Sequence, residues 1–203
     1  MIWGCTRTVE PSAEPVSLAE ARNHLRVDLN DDDLLINRAI AAAREYAEQQ
    51  SGRQLVTATW KLVVDRFPSA DESVGCFYRG GFILPRSPLR SVTSIVYVDT
   101  SGNQQTLDAG GYLVATTMCP GRVTPAYGMS WPTARRQLES VQVTYESGYG
   151  GASAVPARAK NAILLLVELL YEFRSPVISG TIATKIPWTL DSMLKGLSDG
   201  WMW

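Results

Sequence analysis

His24 is the single histidine of the chain, so a Ser-His-Asp or Cys-His mechanism has only one possible base. It falls on a short helical stretch with no nucleophile beside it in sequence, and a structural or solvent-facing role is expected. Asp28-Leu29-Asn30-Asp31-Asp32-Asp33 has the acid density of a calcium loop. The obligatory glycine of such a loop is replaced by Asp33 and its bidentate glutamate by Ala39, so the run reads as a helix cap. Gly148-Tyr149-Gly150-Gly151-Ala152-Ser153 lies between a strand and a helix, the setting of a phosphate-cradling turn. It lacks the third glycine and a second βα unit, and a flexible domain junction is the better reading. Asp65, Asp71, Glu72, Asp99, Asp108 and Glu146 give no pair at a catalytic separation along the chain. Most are expected to be solvated. No catalytic residue, cofactor site or metal ligand is assigned.

Cys5, Cys76 and Cys119 are odd in number and widely spaced, with no CxxC among them. Neither a disulfide framework nor a zinc site follows, and a reducing compartment is expected. Arg79-Gly80-Gly81-Phe82 and Arg135-Arg136 are small basic spots in a chain with 19 Lys plus Arg against 20 Asp plus Glu, a net charge of -1. They are too few for strong nucleic-acid binding by counterion release. With 45% hydrophobic and 19% charged residues in 203, the composition is that of a folded globular protein. A chain of this size can bury roughly 70% of the surface its unfolded form exposes. The opening MIWGCTRTVEPSAEP lacks a basic stretch followed by an apolar run, so no secretory signal is expected. The longest apolar stretch, Ala162 to Val167, extends to Leu170 only through Glu168, short of the roughly 20 residues of a membrane span. A soluble protein without a membrane partner is the expectation.

The elements that must position these residues follow from period and punctuation. Ser17-Leu18-Ala19-Glu20 fits a capping box and opens a helix to about Val27, with Leu18, Ala21 and Leu25 on its apolar face. The acids Asp31 to Asp33 suit the positive end of a second helix dipole. Leu35, Ile36, Ala39, Ile40, Ala43, Tyr46 and Ala47 follow at helical spacing up to Ser51-Gly52, a glycine stop. Beyond Gly52 the period falls to 2. Strands are predicted at 59–65, 82–84, 94–99, 105–107, 112–115, 122–124 and 141–145, forming a small antiparallel β unit. Pro156 then opens a third helix through Arg174, and Thr189 caps a last one through Leu197.

The third helix carries Ile163 to Val167, Leu169, Leu170, Tyr171 and Phe173 around most of its circumference, leaving Asn161, Glu168 and Glu172 as a narrow polar stripe. Such a helix must be covered on several sides, by its own domain or by another chain. Six tryptophans are many for this length. Trp60 reads as a core residue of a strand. Trp188, Trp201 and Trp203, in a segment with little to bury them locally, read as anchors on another protein. The helices therefore come from both ends of the chain and the strands from its middle, so the fold class is α+β.

A series of segments stands in a distinctive order: Pro15-Val16-Ser17-Leu18-Ala19-Glu20-Ala21 to Leu25, Asp31-Asp32-Asp33-Leu34-Leu35, Glu48 to Ser51-Gly52-Arg53, and Trp60-Lys61-Leu62 to Phe67-Pro68. Leu84-Pro85-Arg86-Ser87-Pro88-Leu89, Ser91-Val92, Val96-Tyr97-Val98-Asp99, Trp131-Pro132, Val143-Thr144-Tyr145 and Gly148-Tyr149-Gly150 continue it. Val155-Pro156-Ala157, Ala162-Ile163 and Tyr171-Glu172-x-Arg174 close it. Over about Pro15 to Arg174 this order resembles the head-tail connector (adaptor, head-completion) proteins of tailed bacteriophages. The resemblance implies a discontinuous helical bundle from both chain ends, residues 1–52 and 153–203, with an inserted small antiparallel β domain over 53–152.

The resemblance implies a non-enzymatic virion protein of a phage or gene transfer agent, made and assembled in the bacterial host cytoplasm and placed at the head-tail interface. It implies a homo-oligomeric ring, usually a dodecamer, that binds the portal protein on one side and a stopper or tail-terminator protein on the other. DNA would pass through its centre without sequence-specific binding, to which near-neutral charge is suited. Leu164, Leu165 and Tyr171 are the candidate contacts between subunits, and Leu194, Leu197, Trp201 and Trp203 the candidate portal side. The rival reading from the residues is a small enzyme or ligand-binding β module with helical flanks; another tail-completion protein is a third.

Overall fold

The computed structural model describes residues 3–172 and 188–198. The chain divides into two compact units, one built from the described residues up to Pro11 and Thr57–Tyr149, the other from Ser12–Val56 and the described residues after Tyr149. The fold is α+β, with four helices and two antiparallel sheets among the described residues.

In the β unit the strands are β1 (Gly4–Val9), β2 (Ala58–Val64), β3 (Phe77–Tyr78), β4 (Gly81–Leu84), β5 (Leu89–Val98), β6 (Gln104–Thr106), β7 (Tyr112–Ala115), β8 (Gly121–Pro125) and β9 (Val141–Ser147). They form a five-stranded sheet, β1-β2-β9-β5-β6, and a four-stranded sheet, β3-β4-β8-β7. The period of 2 does its expected work: β2 buries Ala58, Trp60, Leu62 and Val64 and half-exposes the residues between them. In register, Trp60 faces Tyr145, Leu62 faces Val143 and Val64 faces Val141. The inner residues of the second sheet, Phe77, Phe82 and Val123, belong to the same core. Each fully buried side chain of this size contributes about 1.5–3 kcal/mol. Phe67 and Trp131 seal it by stacking at 5.1 Å, with the Trp131 indole N–H donating to the Gly80 carbonyl at 2.7 Å.

Two strands escape the sequence reading. β3 is only two residues long. β1 lies at the start of the chain, where no strand is predicted, yet it pairs antiparallel with β2 from Gly4↔Val63 to Val9↔Thr59. As an edge strand it exposes four of its six residues and fully buries none, so its sequence lacks the apolar alternation of a core strand.

The helical unit contains α1 (Leu18–Leu25), α2 (Asp33–Ser51), α3 (Ala157–Glu172) and α4 (Trp188–Lys195). The capping box is present: the Glu20 amide donates to Ser17 Oγ at 3.2 Å, and the Ser17 amide donates to Glu20 Oε2 at 2.7 Å. Arg26, in the left-handed region at φ 58°, ends α1 one residue before the predicted stop. Gly52, at φ 68°, ends α2 as expected. Ile36, Ala39, Ile40, Ala43 and Ala47 of α2 meet Ala159, Ala162, Ile163, Leu166 and Val167 of α3 in one buried core, with Ala21 and Leu190 completing it. No helix among the described residues is long and apolar enough to cross a membrane.

Candidate assembly surfaces

A buried polar cluster braces the helical unit. Arg44, 5% exposed, donates to Glu14 at 2.8 Å and to Glu48 at 3.1 Å, while Glu48 also accepts from Gln54 Nε2 at 2.7 Å and from the Leu55 amide at 3.1 Å. The Arg44 guanidinium is held charged, its pKa raised by Glu14 and Glu48 against the opposing effect of burial. Such charges persist inside a protein because each is paired and hydrogen-bonded.

The acidic run binds neighbouring side chains. Asp32 stands at the N-cap of α2 but makes no capping bond with its side chain. It accepts the Tyr171 hydroxyl at 2.5 Å, joining the last turn of α3 to the start of α2. Asp33 accepts from Arg22 Nε at 2.6 Å, and Arg22 also binds Asn30. His24 Nε2 lies 3.0 Å from Glu168 on α3. No group of three or more His, Cys, Asp or Glu able to hold a metal ion occurs among the described residues.

The predicted contact residues separate into three sets. Leu164 and Leu165 are half-buried on α3, and Tyr171 is half-buried beside a groove of about 370 Å³ lined by Val27, Asp28, Leu29, Asp31 and Asp32. Leu194 and Leu197 are buried at 3% and 7% exposure within the chain itself. Trp201 and Trp203 lie outside the described residues. The all-round apolar character of α3 resolves into a buried stripe and a residue of exposed surface, with Leu170 at 42%. Leu29, at 70%, lines the Tyr171 groove, and Leu34 in the first turn of α2 is 64% exposed. Sequence reasoning did not single out Leu29 or Leu34. Their position beside the acidic run gave the only signal, an apolar residue where a solvated face is expected.

In the β unit most exposed large apolar residues lie on loops, Val9 on β1 and Leu113 on β7 being the exceptions. Tyr127 is fully exposed and Met129 is 60% exposed, on a turn closed by the Met129 amide donating to the Ala126 carbonyl at 2.9 Å. Elsewhere Tyr78 carries two guanidiniums, Arg122 at 4.2 Å and Arg79 at 5.4 Å from the ring centre. Two carboxylates of the β unit are taken up by neighbouring groups. Glu72 is held bidentately by Arg66 at 2.8 and 2.7 Å, and Asp99 accepts from the amides of its own turn and from Gln105.

Comparison with known proteins bears on this architecture. Residues 15–96 match the family model described as phage gp6-like head-tail connector protein. No curated protein matches the sequence. A chain from the neck of an empty gene transfer agent (GTA) particle computed with C6 symmetry is similar at 22% identity and TM-score 0.76, covering 96% of this chain and 95% of that one. A chain from the virion of a native GTA particle is similar at 21% identity and TM-score 0.76, over 96% and 94% of the two chains. A third, from the neck of a native GTA particle computed with C12 symmetry, is similar at 20% identity and TM-score 0.69, over 98% and 95%. The chain thus resembles the phage gp6-like head-tail connector proteins in sequence over residues 15–96, and chains of gene transfer agent particles in fold over nearly its whole length.

Proposed function

We propose that this protein is a structural, non-enzymatic connector of a phage or gene-transfer-agent neck. It acts as a homo-oligomeric ring, a dodecamer, between the portal and a stopper or tail-terminator protein, and DNA passes through its centre. The observation that carries this reading is the coincidence of the connector match over 15–96 with the neck-protein fold over 96% of the chain. The C12 symmetry of one similar neck supports twelve copies. The surface of the helical unit supports the same reading, because Leu29, Leu34 and Leu170 are exposed and Leu164, Leu165 and Tyr171 are only half-buried. A closed ring buries one patch of each copy against a different patch of the next, and this apolar surface is the patch assigned to that contact. Docking on the portal is assigned to Trp201 and Trp203, since Leu194 and Leu197 bury their side chains in the chain's own helical unit.

Mass photometry of the full chain, alone and with portal, tests the proposal. Twelve-copy rings on portals are the expected result. A chain that stays monomeric and leaves portals bare overturns it. Truncation after Gly200 removes both terminal tryptophans, and it should preserve the fold and weaken portal attachment.

A further inference from the structure

The β3–β4 connection holds a conformational oddity beside an unusual charge arrangement. Tyr78 pairs with Gly81, and the two residues between them, Arg79 and Gly80, both have positive φ, 47° and 74°. A two-residue hairpin with positive φ at both central positions favours Asn-Gly or Gly-Gly. A side chain as large as arginine is disfavoured in the left-handed region, so Arg79 stands where the turn alone would select another residue. Strained positions of this kind persist at functional sites.

The arginine placed there shares the Tyr78 ring with Arg122, which arrives from β8 on the other side of β4. Two like charges therefore converge on one ring. Arg122 Nε is buried and has no hydrogen-bond partner. Among the described residues, neither guanidinium has a carboxylate partner. The contrast lies a few residues away: Arg66 stacks on Phe77 at 5.7 Å, but both of its terminal nitrogens are taken by Glu72, the nearest acid in sequence to Arg79. One stacked arginine of this region is neutralised internally, and two are left to meet an anion from outside.

We infer that Arg79 and Arg122, oriented by Tyr78, form a phosphate-contact site for the phosphodiester backbone of nucleic acid. The planar guanidinium fork matches phosphate oxygens in two-pronged fashion, and stacking on an aromatic ring fixes its plane before contact. A single carboxylate would return one charge to a site that supplies two, whereas a phosphodiester chain offers charges in series. The choice of nucleic acid rests on the conduit role proposed above. Two contacts per copy make a weak, sequence-blind site, in keeping with a net charge of -1.

The test is fluorescence anisotropy of a short mixed-sequence DNA duplex with the full chain over a salt series. It compares wild type with the R79Q/R122Q variant and with R79K/R122K, which keeps the charge. Folding of each is checked by its thermal midpoint, and ring formation on portal is measured separately. The expected result is duplex binding weakened about tenfold in R79Q/R122Q at low salt, with a salt slope lower by about 1.8 for the two lost phosphate contacts. R79K/R122K should keep most of the binding. Unchanged duplex binding in a folded R79Q/R122Q variant overturns the inference, and intact rings in that sample leave the connector reading standing. Loss of portal or tail attachment with duplex binding unchanged assigns the site to a protein carboxylate and also overturns it. Inorganic phosphate displacing the duplex at equal phosphate concentration would make the site one for the free ion, with the same consequence. Wild-type chain that binds duplex through these arginines but never forms rings supports this site and refutes the connector.

Discussion

The Tyr171 hydroxyl donates to Asp32 Oδ2 at 2.5 Å, so a residue that composition marks as part of an apolar helix surface is also a polar clamp between α3 and the start of α2. Removing that hydroxyl tests how much the clamp holds. Tyr171→Phe keeps the ring and should lower stability by about 1.5–3 kcal/mol, the range for a hydrogen bond to a charged group. The urea midpoint measures it; an unchanged midpoint would show that the bond contributes nothing to the fold.

The Arg44 cluster makes a larger demand. Glu48→Ala strips Arg44 of one partner and leaves Gln54 and the Leu55 amide without their shared acceptor. A buried charge that loses its partner costs about 3–5 kcal/mol. Denaturant unfolding of this variant should show a loss of that size, while Glu45→Ala, at a residue 62% exposed in its side chain and 3.7 Å from Arg44, should change stability by less than about 1 kcal/mol.

Acid should weaken the start of α1 specifically. The Ser17 amide and hydroxyl hold the Glu20 carboxyl below its usual 4.5. Its stabilising contribution is therefore complete above pH 4.5 and is lost as pH falls through the lowered folded value. Ser17→Ala should cost about 1 kcal/mol near neutrality, and the gap between wild type and variant should narrow below pH 4.5. A gap that stays constant down to the acid transition would contradict this linkage.

The three thiols should react in an order set by exposure. Burial pushes Cys76 up to about 11 and raises Cys5 as well, whereas Cys119 is exposed. A disulfide reagent at pH 8 should label Cys119 first, with Cys76 protected until the β unit opens. Equal rates at all three sites would refute the packing around Cys5 and Cys76.

Close approach of backbone fixes Gly81. A Cβ there would lie 2.6 Å from the Val123 carbonyl oxygen, across the β4–β8 pairing. Because the obstacle is backbone, it cannot swing aside, and Gly81→Ala should cost about 2 kcal/mol or more. Thermal melts would show the loss; a midpoint equal to wild type would mean that the two strands separate freely.

Local chemistry made several elements readable from sequence alone. Ser17 and Glu20 announced α1, Gly52 ended α2, and alternation in β2 and β9 gave both strands. What sequence could not give was decided by distant partners. β1 is an edge strand whose identity comes from β2, some fifty residues away, and two sheets rather than one follow from which strands pair across the unit. Leu194 and Leu197 look the same in sequence whether they cover a neighbour or their own fold; here both are buried, in and just after α4, which packs on α2 and α3. Asp32 was legible as a cap by position, but its side chain goes to Tyr171, 139 residues later. The Arg79–Tyr78–Arg122 arrangement was half legible: Arg79 stood out as a basic spot, while Arg122 reaches the same ring only through the pairing of β4 with β8.

The helical unit draws α1 and α2 from between β1 and β2, and α3 from after the last strand. On a ribosome, the first two helices emerge with their apolar faces uncovered and must wait for nearly the whole of the β unit to be translated before α3 arrives. Synthesis therefore exposes Ile36, Ile40 and Ala43 for about 5 to 20 seconds at ordinary elongation rates, an interval that slow codons across residues 57–149 would prolong.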